Sequence, residues 1–158
     1  MPSSLLFDLS QIDLNAQPVF DQEAILKVNP QCFEMQQLDG ILWYDKEKFL
    51  ILGYKNATIN EFWVRGHIPD RPIMPAVIMV EAAAQLLSFF VRQIYGVDAF
   101  IGFTDIDSAK FRATVEPGKR LYLLGHLTKY KSRKYTAYIQ GVVDGTMVFD
   151  TTVSGMKV

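Results

Sequence analysis

The chain has 158 residues, 49% hydrophobic and 21% charged, enough for one globular domain with a substantial core. A net charge of -1 excludes a nucleic-acid binder held by a broad basic surface. Cys32 is the only cysteine, which excludes an intrachain disulfide and a cysteine-based metal cluster and fits a reducing cytoplasm.

In chain order, residues 1–37 read as an N-terminal arm with short helical segments, and 38–158 as the main domain. The opening MPSSLLFDLSQID carries acids where an export signal needs bases, and its LLF run is too short for an apolar signal core. Asp21 stands where it can N-cap a short helix reaching Lys27. From Gly40 to Ala57, the runs ILWY and KFLILGY flank the polar turn Asp45-Lys46-Glu47 and read as a hairpin. The turn-rich segment 66–75, GHIPDRPIMP, is followed by AVIMVEAAAQLLSFFVRQIY, which contains neither Gly nor Pro and is closed by Gly96. This predicts one long helix, and apolar residues on nearly every side predict that other structure wraps it.

Four β-rich runs follow, near 99–116, 119–130, 134–143 and 146–156, separated by Pro117-Gly118, Lys131-Ser132-Arg133 and Asp144-Gly145. Two strands, a helix and four strands joined by hairpin-length turns imply an α+β domain in which an antiparallel six-stranded sheet curls around one helix. The longest unbroken apolar run, Ile73–Val80, contains Pro75 and is far short of the roughly 20 residues a membrane span needs. The expectation is a soluble protein with no membrane and no nucleic-acid partner.

On the helix, Glu81, Gln85, Ser88 and Arg92 recur at i, i+4, i+7 and i+11, which keeps them in one narrow stripe. Such a stripe is either a solvent-facing seam or a row of working groups. Ahead of the helix, His67 sits beside Gly66 in a loop stiffened by Pro69, Pro72 and Pro75. A stiff loop can hold an imidazole for proton transfer, although spacing alone favours a structural histidine. His126 reads as a surface strand residue, Cys32 as inert, and Trp43, Phe62 and Trp63 as packing. The run Lys129–Lys134 reads as a solvated hairpin turn, while Arg65, Arg71, Arg112, Lys119 and Arg120 add positive charge elsewhere.

The segment GHIPDRPIMPAVIMVEAAAQ resembles the active-site segment of the FabZ-type β-hydroxyacyl-acyl carrier protein dehydratases, whose pattern is roughly GHFPxxPxMPGVLxxEAxAQ. FIGFTDIDSAKFRATVEPGKRL and TKYKSRKYTAYIQGVVDGTMV are similar to later segments of the same family, so the likeness runs from about 38 to 156. It implies a hot-dog fold, a six-stranded antiparallel sheet around one long central helix. It further implies a homodimer, alone or in a larger assembly of dimers, with two sites at the subunit interface.

In such a site His67 of one subunit and Glu81 of the other form the catalytic pair. His67 acts as the base at C2 and Glu81 as the acid for the departing C3 hydroxyl. Gln85 binds beside them and orients Glu81, and the backbone N–H groups of Ala76 and Val77 polarise the thioester carbonyl. The implied activity is a lyase reaction of fatty acid biosynthesis. It turns 3-hydroxyacyl thioesters, borne on the phosphopantetheine of acyl carrier protein, into trans-2-enoyl thioesters, with no cofactor or metal. The acidic carrier would dock on one of the basic clusters.

Two departures stand out. Ala76 replaces a glycine of the pattern, and Asn29–Asp39 replaces its HRxPFLLVD stretch. A hot-dog acyl thioesterase is one alternative reading, disfavoured by His67 in its proline-rich loop; a catalytically silent acyl-binding subunit is the other, which the two departures keep open and His67, Glu81 and Gln85 together disfavour.

Overall fold

The computed structural model describes residues 4–158; the first three residues of the expected arm, Met1, Pro2 and Ser3, lie outside the described residues. In chain order the elements are β1 (Phe20–Asp21), α1 (Gln22–Leu26), β2 (Gly40–Asp45), β3 (Leu50–Asn56), α2 (Ala76–Phe89), β4 (Ile101–Phe111), β5 (Arg120–Tyr130), β6 (Lys134–Val143) and β7 (Thr146–Lys157). All strand pairs are antiparallel, in the order β1-β2-β3-β5-β6-β7-β4. The α+β class and the wrapped central helix agree with the sequence reading. The sheet has seven strands rather than six. The added one, β1, is two residues long, pairing Phe20 with Ile41 and Asp21 with Gly40, too short to leave an alternation in the sequence.

Local chemistry accounts for the turns. Asp21 caps α1 by accepting the Ala24 N–H at 2.9 Å. Asp45 Oδ1 accepts the N–H groups of Glu47 and Lys48, both at 3.1 Å, which folds the β2–β3 turn. Asp144 and Gly145 both take positive φ, 49° and 80°, as a two-residue hairpin turn requires. The third predicted strand is shorter than 99–116. After Phe111 the ladder gives out, with the Arg112 and Ala113 N–H groups both directed at the Val148 carbonyl. The chain then turns inward, burying Val115 completely.

The helix sits against the sheet where glycines leave room. A Cβ on Gly53 would lie 2.9 Å from Leu86 Cδ1, and one on Gly125 would lie 3.1 Å from Leu86 Cδ2. Leu86 is thus seated over two mid-strand glycines, which costs strand propensity and gains close helix–sheet contact. A π-helical turn, Phe90–Ile94, extends α2. By length and composition the stretch Ala76–Ile94, with mean hydropathy 1.5, would be enough to cross a membrane. Here its apolar residues Leu86, Phe89, Phe90 and Val91 are buried in the core shared with the sheet.

The other face of the sheet is covered by the arm. Leu5, Leu6, Phe7, Leu9, Ile12 and Leu14 pack on a second cluster built around Leu42, Leu52, Tyr54, Leu124 and Val142. Gln140 fastens the arm, accepting the Leu6 N–H at 2.8 Å and donating to the Ser4 carbonyl at 3.0 Å.

Candidate active site

Between β3 and α2 the chain makes a long loop with three anchors. At its start, Lys55 is buried between two carboxylates, 3.1 Å from Glu61 and 3.5 Å from Asp39. Glu61 in turn accepts the Thr58 N–H at 2.9 Å and its hydroxyl at 3.0 Å. Burial pushes the Asp39 carboxyl above its ordinary range, with Lys55 pulling the other way. In the middle, Trp63 is buried and its carbonyl accepts the His67 N–H at 3.0 Å. At the end, Met74 is buried and donates its N–H to the Val115 carbonyl at 2.8 Å.

His67 is exposed on this anchored loop. Its Nδ1 lies 2.8 Å from the Ile73 carbonyl. A carbonyl only accepts, so Nδ1 carries the proton and Nε2 of the neutral ring keeps its lone pair for a substrate.

The polar stripe on α2 does not face water. Residues 28–37 cross over it and bond to it. Gln85 is 2% exposed and uses its whole amide: Oε1 accepts the Gln37 N–H at 2.8 Å, and Nε2 donates to the Met35 carbonyl at 2.7 Å and to Glu81 Oε1 at 2.8 Å. The Gln85 carbonyl also accepts from Asn29 Nδ2 at 3.0 Å. Two turns further on, Arg92 donates to the Val28 carbonyl. Glu81 is half-buried, with one oxygen tied to Gln85.

Glu81, Gln85 and Ser88 line a cavity of about 120 Å³ whose other walls include Gln31, Phe100 and Phe103. His67, Ala76 and Val77 are not among its lining residues. One chain therefore brings Glu81 and Gln85 together on this cavity, and His67 is not on its walls.

Ala76 and Val77 open α2 behind Pro75, whose carbonyl already takes the N–H groups of Ile78 and Met79. Among the described residues no backbone carbonyl takes the Ala76 or Val77 N–H, as expected of the first turn of a helix. Ala76 is helical and is not one of the residues at positive φ, so its methyl brings no backbone strain in place of the expected glycine.

The remaining sequence candidates separate cleanly. His126 lies in β5 opposite Leu50 and Tyr138. Cys32 is exposed, Trp63 is core, Trp43 packs tilted against Phe7 with ring centroids 5.1 Å apart, and Phe62 is exposed. Three of the basic residues are engaged within the chain: Arg112 with Asp150 at 2.8 Å, Lys119 with Asp144 at 2.8 Å, and Arg120 with Asn56 and the Tyr54 ring. Arg65 and Arg71 are exposed on the His67 loop. Sequence reasoning missed the contacts of Asn29, Met35 and Gln37 with Gln85. The signal for them was a buried helix position carrying an amide that has to find partners.

The family model for the FabA-like domain matches residues 29–152. The 3-hydroxyacyl-[acyl-carrier-protein] dehydratase FabZ of Brucella ovis is 39% identical over 141 residues, covering 86% of this chain and 87% of the relative. The Helicobacter pylori protein of the same name is 34% identical over 155 residues, covering 94% and 97%. Among solved structures, the dehydratase heterocomplex ApeI:P from Xenorhabdus doucetiae matches with a TM-score of 0.72 at 10% identity, covering 85% of this chain and 90% of that one. That last likeness is one of fold.

Proposed function

The chain belongs to the FabZ-type dehydratases of the FabA-like family, and from that premise we propose that it removes water from 3-hydroxyacyl thioesters carried on acyl carrier protein, yielding trans-2-enoyl thioesters for fatty acid biosynthesis. The observation that carries this reading is that His67 and Glu81 are each held by one hydrogen bond that leaves a reactive atom free. The Ile73 carbonyl occupies His67 Nδ1 and leaves Nε2; the Gln85 amide occupies Glu81 Oε1 and leaves Oε2.

His67 Nε2 takes the C2 proton, and Glu81 gives its proton to the C3 hydroxyl, which leaves as water. The N–H groups of Ala76 and Val77, with the positive end of the α2 dipole, take up charge developing on the thioester oxygen. Gln85 holds Glu81 in place.

Because His67 stands outside the cavity that Glu81 lines, a second copy completes the site. The edge strand β4 supports this arrangement: among the described residues its outer side is unpaired, and Phe103, Ile106 and Phe111 on it are about half exposed. Pairing of two β4 edges about a twofold axis continues the sheet and covers these side chains. The site then takes His67 from one subunit and Glu81 from the other. Arg65 and Arg71, exposed beside His67, face an acidic carrier protein, and the protein works in the cytoplasm.

The test is to supply the purified protein with crotonyl and longer 2-enoyl thioesters, following loss of the conjugated absorbance with free thiol assayed in parallel. Reversible hydration without thiol release is expected. Thiol release would instead make the protein a thioesterase, and inertness would make it a non-catalytic acyl-binding subunit.

A further inference from the structure

We propose that Gln31 is the hydrogen-bond acceptor that holds the substrate's C3 hydroxyl beside Glu81; this rests on the dehydratase reading and adds a specificity residue to its site. Gln31 lies in the Asn29–Asp39 segment, where the chain departs from the family pattern, and it lines the same cavity of about 120 Å³ as Glu81, Gln85 and Ser88. Its Oε1 is buried and, among the described residues, has no hydrogen-bond partner. The Gln85 amide beside it is fully committed to Gln37, Met35 and Glu81, so it supplies no donor to Gln31. A buried amide oxygen without a donor is rare in folded proteins, and this one belongs to a side chain that lines a cavity together with an acid, where a small turn of the amide brings it to a ligand's donor.

The C3 hydroxyl supplies the matching groups. Its oxygen accepts the Glu81 proton, and its O–H donates to Gln31 Oε1. In dehydration His67 takes the C2 proton, and the C2–H electron pair becomes the second bond between C2 and C3. The C3–O bond breaks with its pair on oxygen. That oxygen takes the Glu81 proton and leaves as water, one of whose O–H groups remains on Gln31. In the reverse direction the same two residues hold the attacking water.

An acceptor at this position also reads the oxidation state at C3. A 3-oxoacyl thioester has a carbonyl there with no O–H, which would set two acceptors against each other, and a saturated acyl chain has no oxygen to offer. A site built to hydrogen-bond a substrate hydroxyl rejects analogues that lack the donor more strongly than an apolar pocket does.

The experiment uses the full chain, with 3-hydroxyacyl thioester as substrate and the saturated and 3-oxoacyl thioesters of equal length as competitive inhibitors. Gln31→Met keeps the length of the side chain and removes the acceptor. KM for the 3-hydroxyacyl thioester is expected to rise about tenfold while Ki for the saturated analogue stays within about twofold, so the preference over the 3-oxo analogue shrinks about tenfold. Equal weakening of all three ligands, or no change in any, would overturn the assignment. Should Gln31→Met lose the folded state on thermal melting, Gln31→Ala is read in the same way. A wild-type protein that neither hydrates nor dehydrates overturns the dehydratase reading as well. An active wild type with an unaltered variant overturns the role of Gln31 alone.

Discussion

The Gln85 amide donates to Glu81 Oε1 at 2.8 Å while its own oxygen accepts the Gln37 N–H at 2.8 Å, so the linker crossing α2 sets the direction of the carboxyl one helical turn away. Replacing Gln85 with Leu removes that link and strands a buried N–H on Gln37 and a carbonyl on Met35. The stranded Gln37 N–H, which is buried, costs about 1–3 kcal/mol, and the carbonyl of the exposed Met35 less. Gln85→Leu is expected to melt lower and to lose roughly 10- to 100-fold in kcat, a part of the 100- to 10,000-fold that a general acid supplies. Melting and steady-state kinetics on the same preparation check this. A variant that melts lower but turns over normally would detach Gln85 from Glu81's role.

Lys55 is the cation between Asp39 and Glu61, and Lys55→Met leaves two largely buried carboxylates facing each other. Removing one partner of a buried ionic cluster costs about 3–5 kcal/mol, so denaturant unfolding near neutral pH should show a loss of that size. The pH dependence follows from Asp39. Its folded pKa is raised by burial, so its contribution favours folding below its unfolded value, about 3.9, and is lost as pH rises through the folded value. Without Lys55 the folded value rises further. The variant's deficit against wild type should therefore narrow as pH is lowered towards about 4. A deficit independent of pH would contradict the assignment of the loss to uncompensated carboxylates.

Arg65 and Arg71 flank His67 on the loop surface, whereas Arg112, Lys119 and Arg120 are engaged within the chain. Charge reversal at both, Arg65→Glu with Arg71→Glu, is expected to raise KM for a carrier-linked substrate about tenfold or more relative to KM for the matching N-acetylcysteamine thioester. The gap should narrow with added salt, because exposed charges are screened within about 10 Å at 0.1 M. Equal changes for both substrates would move the carrier surface elsewhere.

Much of the fold was legible because its signals are local. The helix of 76–94 announced itself by length and apolar composition, and the Asp144-Gly145 turn by the positive φ its residues tolerate. β1 was not legible, since two residues carry no period, and the end of β4 at Phe111 depends on the chain's turn away from β7, where Arg112 and Ala113 share the one Val148 carbonyl. For the site, His67 and Glu81 stood out through the pattern around them. The setting of Gln85 did not, because its partners Asn29, Met35 and Gln37 lie about fifty residues away along the chain and nothing in their types marks them. Nor did the sequence reveal that the polar stripe is roofed rather than solvated. That follows from the path of residues 28–37, which tertiary packing decides.

The composite site is tested most directly by mixing two inactive chains. His67→Ala and Glu81→Ala are each expected to lose about 100- to 10,000-fold in activity. Coexpressed in equal amounts, half of the dimers are mixed, and each mixed dimer holds one intact site of two, so activity should return to about one quarter of wild type. Activity no greater than the sum of the two variants measured separately would contradict a site shared between His67 of one subunit and Glu81 of the other.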